Sequence, residues 1–148
     1  MSSSDHAGYA GDVSPSESFD AITQNEQAQI VDVRTTAEWA YVGLPDLKSV
    51  NKTPLRAEWQ VFPKMDVDAE FVGKLRDALT ARGLAQSTPL YFLCRSGVRS
   101  KAAAIAMTAA GYPHCFNVTG GFEGPLDPEG RRGHVAGWKF EGLPWAQS

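Results

Sequence analysis

A chain of 148 residues, 43% apolar and 21% charged with a formal net charge of -3, suits one domain with a sizeable core. The mildly acidic balance offers no basic face for nucleic acid, and no apolar run approaches the ~20 residues of a membrane span. Cys94 and Cys115 are too few for a secreted disulfide framework, and His6, His114 and His134 are scattered, so no metal set is expected. The polar start, Met1 followed by Ser-Ser-Ser-Asp-His-Ala-Gly, lacks the basic and apolar regions of an export signal, and the expected compartment is the reducing cytoplasm.

Residues 1–8 read as a mobile tail and residues 9–148 as one folded domain. Ser14-Pro15-Ser16-Glu17 is a helix start, with Ser14 as N-cap, Pro15 at the first helical position and Glu17 closing a capping box. That helix is expected to run to about Asn25 and to bury Phe19 and Ile22. Residues 30–33 form a short β-branched strand. Thr35-Thr36-Ala37-Glu38 is a second capping box, opening a helix that carries Trp39 and ends near Gly43. A further strand is expected around residues 49–51. Asp68 is the expected N-cap of a helix with Phe71, Leu75 and Leu79 on one face and Gly83 past its end.

Residues 89–93 are apolar throughout, as a strand buried on both faces should be. The helix from Ser100 to about Ala110 is rich in alanine, which suits close packing on a sheet, and Gly111-Tyr112-Pro113 stops it. Cys115–Val118 is one more strand, and residues 120–145, rich in Gly and Pro, read as irregular. Short apolar strands alternating with helices predict an α/β domain with a mostly parallel central sheet. Ligands in such sheets bind beyond the carboxyl ends of the strands, where Cys94 would sit.

The chemistry concentrates in Cys94-Arg95-Ser96-Gly97-Val98-Arg99-Ser100, a loop between a strand and a helix. Amides of such a loop and of the first helical turn converge on one spot and favour negative charge there. A thiol at that spot becomes a better nucleophile, because the thiolate is the reactive species. A free cysteine of pKa ~8.5 is only about 3% thiolate at neutral pH, and lowering that value by ~2 units would give about three-quarters. A helix dipole supplies at most ~1.5 of those units, so loop amides and the charges of Arg95 and Arg99 are expected to contribute. Those two arginines either bind a substrate anion or lock the loop, and Gly97 permits a backbone angle that other residues resist. Cys115, flanked by His114 and Phe116 on an apolar strand, reads as plain core.

With these residues in hand, the chain resembles the rhodanese-like family of single-domain sulfurtransferases over most of its length. The resemblance rests on Asp32-Val33-Arg34 with Glu38-Trp39, the cysteine loop, Gly120-Gly121-Phe122, and Gly137-Trp138 with Gly142-Leu143-Pro144. It implies a doubly wound α/β fold with helices flanking the sheet, and a persulfide mechanism without metal or organic cofactor. In that mechanism Cys94 is the nucleophile and sulfur carrier, and Arg95, Ser96, Gly97, Val98 and Arg99 bind the anionic donor. The implied donor is thiosulfate or a persulfide, and the implied acceptor is cyanide, a thiol or the cysteine of a partner protein. Related cell-cycle phosphatases and arsenate reductases place five residues between Cys and Arg, giving a wider ring for a tetrahedral oxyanion. Here four residues intervene, the sulfur-transfer size, and no acid flanks the loop.

The chain departs from the family pattern in three places. Val42-Gly43-Leu44-Pro45-Asp46-Leu47 stands where the family usually has Gly-His-Ile-x-Gly-Ala. The spacing from Gly-Gly to Trp is expanded by residues 123–135, and residues 55–60 carry no general family mark. Residues 127–134 are either a solvated loop or a flap whose Arg131, Arg132 or His134 contacts an anionic donor. Arg34 is expected to pair with a nearby carboxylate as structural support, and Glu38 is accounted for by its capping box. Glu58 and Trp59 are candidates for the same pocket, with core packing favoured for Trp59. Trp138, Leu143 and Trp145 pack the chain end, with Trp145 available to a partner. The alternative to an enzyme is a non-catalytic module that binds a protein or senses redox state.

Overall fold

Helix and strand alternate through residues 8–61 and 64–147, which the computed structural model describes. The expected tail lies outside these residues apart from Gly8. In chain order the elements are β1 (Gly11–Val13), α1 (Pro15–Gln24), β2 (Gln29–Asp32), α2 (Thr36–Tyr41), β3 (Leu44–Pro45), β4 (Leu55–Arg56), β5 (Gln60–Val61), β6 (Asp66–Val67), α3 (Phe71–Ala81), β7 (Leu90–Leu93), α4 (Val98–Ala109), β8 (Cys115–Val118) and β9 (Trp145–Ala146). Strands β1, β8, β7, β2 and β4 hydrogen-bond in that order into one five-stranded sheet, and every neighbouring pair is parallel. Among the described helices, none is long and apolar enough to cross a membrane.

The two central strands are buried on both faces, and alternate residues serve different cores. Val31, Leu90 and Phe92 pack with Phe71, Leu75 and Leu79 of α3 and with Ala103, Ala104 and Met107 of α4. Ile30, Tyr91 and Leu93 pack instead with Ile22 of α1, Phe122 and Trp138. Fully burying one such side chain stabilises the fold by about 1.5–3 kcal/mol, so helices on both faces are what an apolar sheet requires. The small side chains of Ala103 and Ala104, fully buried, bring the α4 backbone close to the sheet.

Both capping boxes form in full. The Glu17 N–H donates to Ser14 Oγ at 3.1 Å and the Ser14 N–H to Glu17 Oε1 at 2.7 Å. The Glu38 N–H donates to Thr35 Oγ1 at 3.3 Å and the Thr35 N–H to Glu38 Oε1 at 3.1 Å. Helix α1 ends at Gln24 with Asn25 as its C-cap, burying Ile22 fully and Phe19 partly.

Some expectations fail, each for a physical reason. Lys48–Val50 is a 3-10 turn rather than a strand, and Asn51 follows it at φ 57°. The strand of that region is β4, whose two residues are too few to show an alternation, although Leu55 is buried opposite Val31. Asp68 does not cap α3. Its carboxylate accepts the Glu70 N–H at 2.9 Å in a turn that precedes the helix, and it pairs with Lys74 at 2.7 Å. Helix α4 starts at Val98, two residues before the expected Ser100, so its first turn belongs to the cysteine loop. Strand β1, the β5–β6 hairpin and the β3–β9 pair carry no local signal, being two or three residues long.

Candidate active site

Asp32 lies level with Leu93 on adjacent parallel strands, so Cys94 leaves the carboxyl edge of the sheet beside Val33, with Arg34 one residue further on. This is the edge where open α/β sheets bind ligands. Cys94 follows the buried β7 directly and is 1% exposed. The chain then turns through Arg95 and Ser96 to Gly97, which caps α4 with φ 108°. That left-handed angle aims the Gly97 N–H at Cys94 Sγ, 3.1 Å away. The constraint at Gly97 is this angle and not space, since an added Cβ would meet nothing nearer than the Gly120 nitrogen at 3.6 Å. Ser100, one turn into α4, brings its Oγ to 3.2 Å from the sulfur.

The Gly120-Gly121-Phe122 segment holds the loop from the other side. The Phe122 N–H donates to the Cys94 carbonyl at 2.7 Å, and the Glu123 and Gly124 N–H groups both donate to the Arg95 carbonyl at 3.0 Å. A Cβ at Gly121 would overlap the Cys94 carbonyl oxygen, so this close approach requires glycine.

Arg99 is committed to Glu38. Its guanidinium donates through Nη1 and Nη2 to the two carboxylate oxygens at 2.8 and 2.9 Å. Burial alone would raise the Glu38 carboxyl, but Arg99 and the Thr35 N–H outweigh it and bring it down to about 2. Arg99 therefore locks the loop to α2 while its charge stays within Coulombic reach of Cys94. Glu38, expected only to close a capping box, does that and anchors the loop as well.

Asp32 and Arg34 form the expected structural pair. Both side chains are fully buried and meet at 2.7 Å, Arg34 Nη2 also donates to the Gly43 carbonyl at 2.7 Å, and the guanidinium lies 4.3 Å from the Phe122 ring centre. One ion pair thus ties the end of β2 to the segments flanking the loop.

Above the loop lies an open cleft of about 480 Å³, lined by Glu38, Val42, Arg95, Arg99, Glu123 and Arg132 among others. Arg95 and Arg99 reach it, whereas the Cys94 sulfur is nearly covered. The inserted loop contributes Arg132, whose Nη1 donates to the Gly124 carbonyl at 2.8 Å. Asp127 closes that loop on itself, accepting the Glu129 and Arg131 N–H groups at 2.9 and 2.8 Å. Arg131 and His134 are exposed and do not line the cleft. Glu58 lies in a separate cleft with Trp39 and Lys74 and accepts the Thr36 N–H at 2.9 Å. Trp59 packs edge-on against Phe71 with ring centres 5.0 Å apart.

Cys115 is core. It is fully buried, its Sγ donates to the Tyr112 carbonyl at 3.2 Å, and burial pushes its thiol up to about 12. At the chain end Trp138 is fully buried and donates from Nε1 to the Pro144 carbonyl at 2.7 Å. Trp145 is 40% exposed under the Lys139 ammonium, 3.8 Å from the ring centre. Among the described residues no group of three or more His, Cys, Asp or Glu side chains is placed to hold a metal ion.

Two functional candidates escaped the sequence reading. Ser100 carried only a helix-start signal, although its place six residues after Cys94 is visible in the chain. Asn117 accepts the Ser100 hydroxyl proton at 2.6 Å from the neighbouring strand, a contact across 17 residues with no local signature.

The family model described as STR4 middle domain matches residues 10–148. An uncharacterized protein RP600 homolog of Rickettsia rickettsii is 37% identical over 129 residues, 87% of this chain and 91% of that protein. The crystal structure of Rv0390 from M. tuberculosis is 42% identical and superposes with a TM-score of 0.85, covering 95% of this chain and 99% of that one. The polysulfide-sulfur transferase homodimer of Wolinella succinogenes shares the fold at 20% identity and TM-score 0.57, over 96% and 81% of the two chains. A rhodanese-like domain from Anabaena shares it at 16% identity and TM-score 0.58, over 93% and 79%. The parallel sheet, the flanking helices and the match along nearly the whole chain place this protein in the STR4 middle domain family, on a rhodanese-like α/β fold.

Proposed function

We propose that this protein is a sulfurtransferase that carries sulfur on Cys94. The observation that carries the reading is the position of Cys94 Sγ at the start of α4, with the Gly97 N–H 3.1 Å away and four residues between Cys94 and Arg99. The amide donor, the helix N-terminus and the Arg99 charge all favour a thiolate over a thiol. Cys94 thiolate attacks the outer sulfur of thiosulfate, the S–S bond of the donor breaks, and sulfite leaves with the bonding electron pair. The product is Cys94–S–S⁻, and the remaining amides of the loop, from Arg95 to Arg99, would stabilise its terminal anion. A thiolate, cyanide or the cysteine of a partner protein then attacks that terminal sulfur and regenerates the Cys94 thiolate. A persulfide or polysulfide donor enters by the same displacement.

The protein's own groups do three things in this scheme. Gly97 stabilises the anion at sulfur, Glu38 fixes Arg99 and with it the ring, and Arg95 and Arg132 present positive charge in the cleft through which a donor arrives. Cys94 has to stay reduced, a condition that the cytoplasm provides. The small ring opposes phosphoryl chemistry, and the Glu38 carboxylate is committed to Arg99. The test is the intact mass of reduced protein after incubation with thiosulfate and, separately, with polysulfide. Gain of one sulfur atom, absent in Cys94→Ala and lost on adding cyanide, is the expected result. No gain from either donor would leave a non-catalytic, partner-binding module as the correct reading.

A further inference from the structure

From Cys94 a line of hydrogen bonds runs to the surface. Cys94 Sγ lies 3.2 Å from Ser100 Oγ, Ser100 Oγ lies 2.6 Å from Asn117 Oδ1, Asn117 Nδ2 donates to Asp12 Oδ1 at 3.1 Å, and the Tyr9 hydroxyl donates to the same oxygen at 2.8 Å. Ser100 is fully buried and Asn117 is 5% exposed, so water does not substitute freely for these partners.

The direction of every proton in this line follows from its far end. An ionised carboxylate only accepts, so Asp12 obliges Asn117 to turn its NH₂ outward and its carbonyl oxygen toward Ser100. Ser100 must then donate to Asn117, and its remaining lone pairs face Cys94. A Cys94 thiol fits this arrangement by donating its S–H to Ser100. A thiolate does not: the Ser100 hydroxyl could serve it only by abandoning the Asn117 oxygen, which is buried and has no replacement donor in the line. Tyr9 reinforces the polarity. Burial, with Asp12 beside it, raises the phenol to about 12, so it stays a donor.

We infer that Asp12 and Asn117 are positioning residues that direct the Ser100 hydroxyl proton away from the Cys94 sulfur and so restrain its ionisation. The inference deepens the sulfurtransferase reading and rests on Cys94 being its nucleophile. The loop and the line then act in opposition: the Gly97 N–H and Arg99 favour the anion, and the Asp12-directed line favours the thiol.

The other charges near the sulfur are accounted for. Arg99 is bound to Glu38 of α2, and Arg34 to Asp32 at the end of β2. Arg95, Glu123 and Arg132 line the open cleft. None of these contacts involves Asp12 or Asn117, so changes at those positions leave them in place.

The test is the pH titration of thiolate ultraviolet absorbance, taken as the difference from Cys94→Ala, which reads the thiol itself and is independent of sulfur transfer. Asp12→Asn is isosteric and sits at the surface. It allows the whole line to reverse, with Asn117 donating to Ser100 and Ser100 to the sulfur, and it should move the midpoint about one pH unit lower, about tenfold in thiolate at a fixed acid pH. Asn117→Ala, which removes the competing acceptor, should move it the same way. In a Ser100→Ala background, Asp12→Asn should have no further effect. An unmoved midpoint in both Asp12→Asn and Asn117→Ala would overturn the inference. So would an equal Asp12→Asn shift with and without Ser100, which would mean that the Asp12 charge acts through space.

Discussion

Arg99 and Glu38, separated by 61 residues, meet as a two-pronged pair at 2.8 and 2.9 Å and fasten the cysteine loop to the first turn of α2. Glu38 thereby serves two elements at once, since the same carboxylate closes the capping box with Thr35. An arginine that reads in sequence either as a substrate ligand or as a lock on the loop is held as a strut, with its charge left in reach of the cysteine.

Glu38→Gln should cost about 1.5–3 kcal/mol, the range for hydrogen bonds to a charged group. The effect should depend on pH. The carboxyl falls from its ordinary 4.5 to about 2 in the fold, so its contribution is complete above 4.5 and is lost as pH falls through that interval. Urea unfolding at neutral pH should separate the variant from the native protein, and the two curves should converge toward pH 2. A gap that stays constant into acid would refute the pair as the source. Sulfur transfer should fall with the neutral-pH stability, since the loop loses its anchor.

The two cysteines should behave oppositely. Cys94→Ala should abolish sulfur loading with an unchanged far-ultraviolet spectrum, because it removes only one sulfur atom at the carboxyl edge of the sheet. Cys115→Ser should keep most of the transfer activity and lose about 1–3 kcal/mol, as burying a hydroxyl among apolar neighbours costs stability. Inactive but folded Cys115→Ser protein would mean that this thiol takes part in the chemistry.

Arg132 and Arg131 are adjacent in sequence and differ in place. Arg132 lines the cleft and Arg131 is exposed in the turn that Asp127 closes. Steady-state kinetics should show KM for thiosulfate raised several-fold in Arg132→Ala and unchanged in Arg131→Ala. Equal effects of the two would show that net charge, and not the cleft, governs donor binding.

Asp32→Asn strands the fully buried Arg34 charge and should cost about 3–5 kcal/mol, the range for breaking one side of a buried pair. Chemical denaturation gives this directly. A loss under 1 kcal/mol would mean that the Gly43 carbonyl and the Phe122 ring suffice to hold the guanidinium.

Much of this protein is determined within short windows of sequence. The caps at Ser14 and Thr35, the spacing of Phe71, Leu75 and Leu79, and the unbroken apolar run before Cys94 each act over a few residues, and each forms the element it predicts. The cysteine loop is likewise local: Cys94, Gly97 and Arg99 lie within six positions, and the left-handed Gly97 is the residue its angle demands. What tertiary structure decided is the set of partners. A sheet of order β1-β8-β7-β2-β4 brings Asp12, Asn117 and Cys94 onto neighbouring strand ends although 105 residues separate Asp12 from Asn117. Glu38 meets Arg99 only because α2 and α4 follow adjacent strands of that sheet. Caps and periodicity are written in contacts three or four residues apart, where the chain itself fixes the geometry. Hydrogen bonds between distant side chains depend on strand order and register, and no local pattern encodes those.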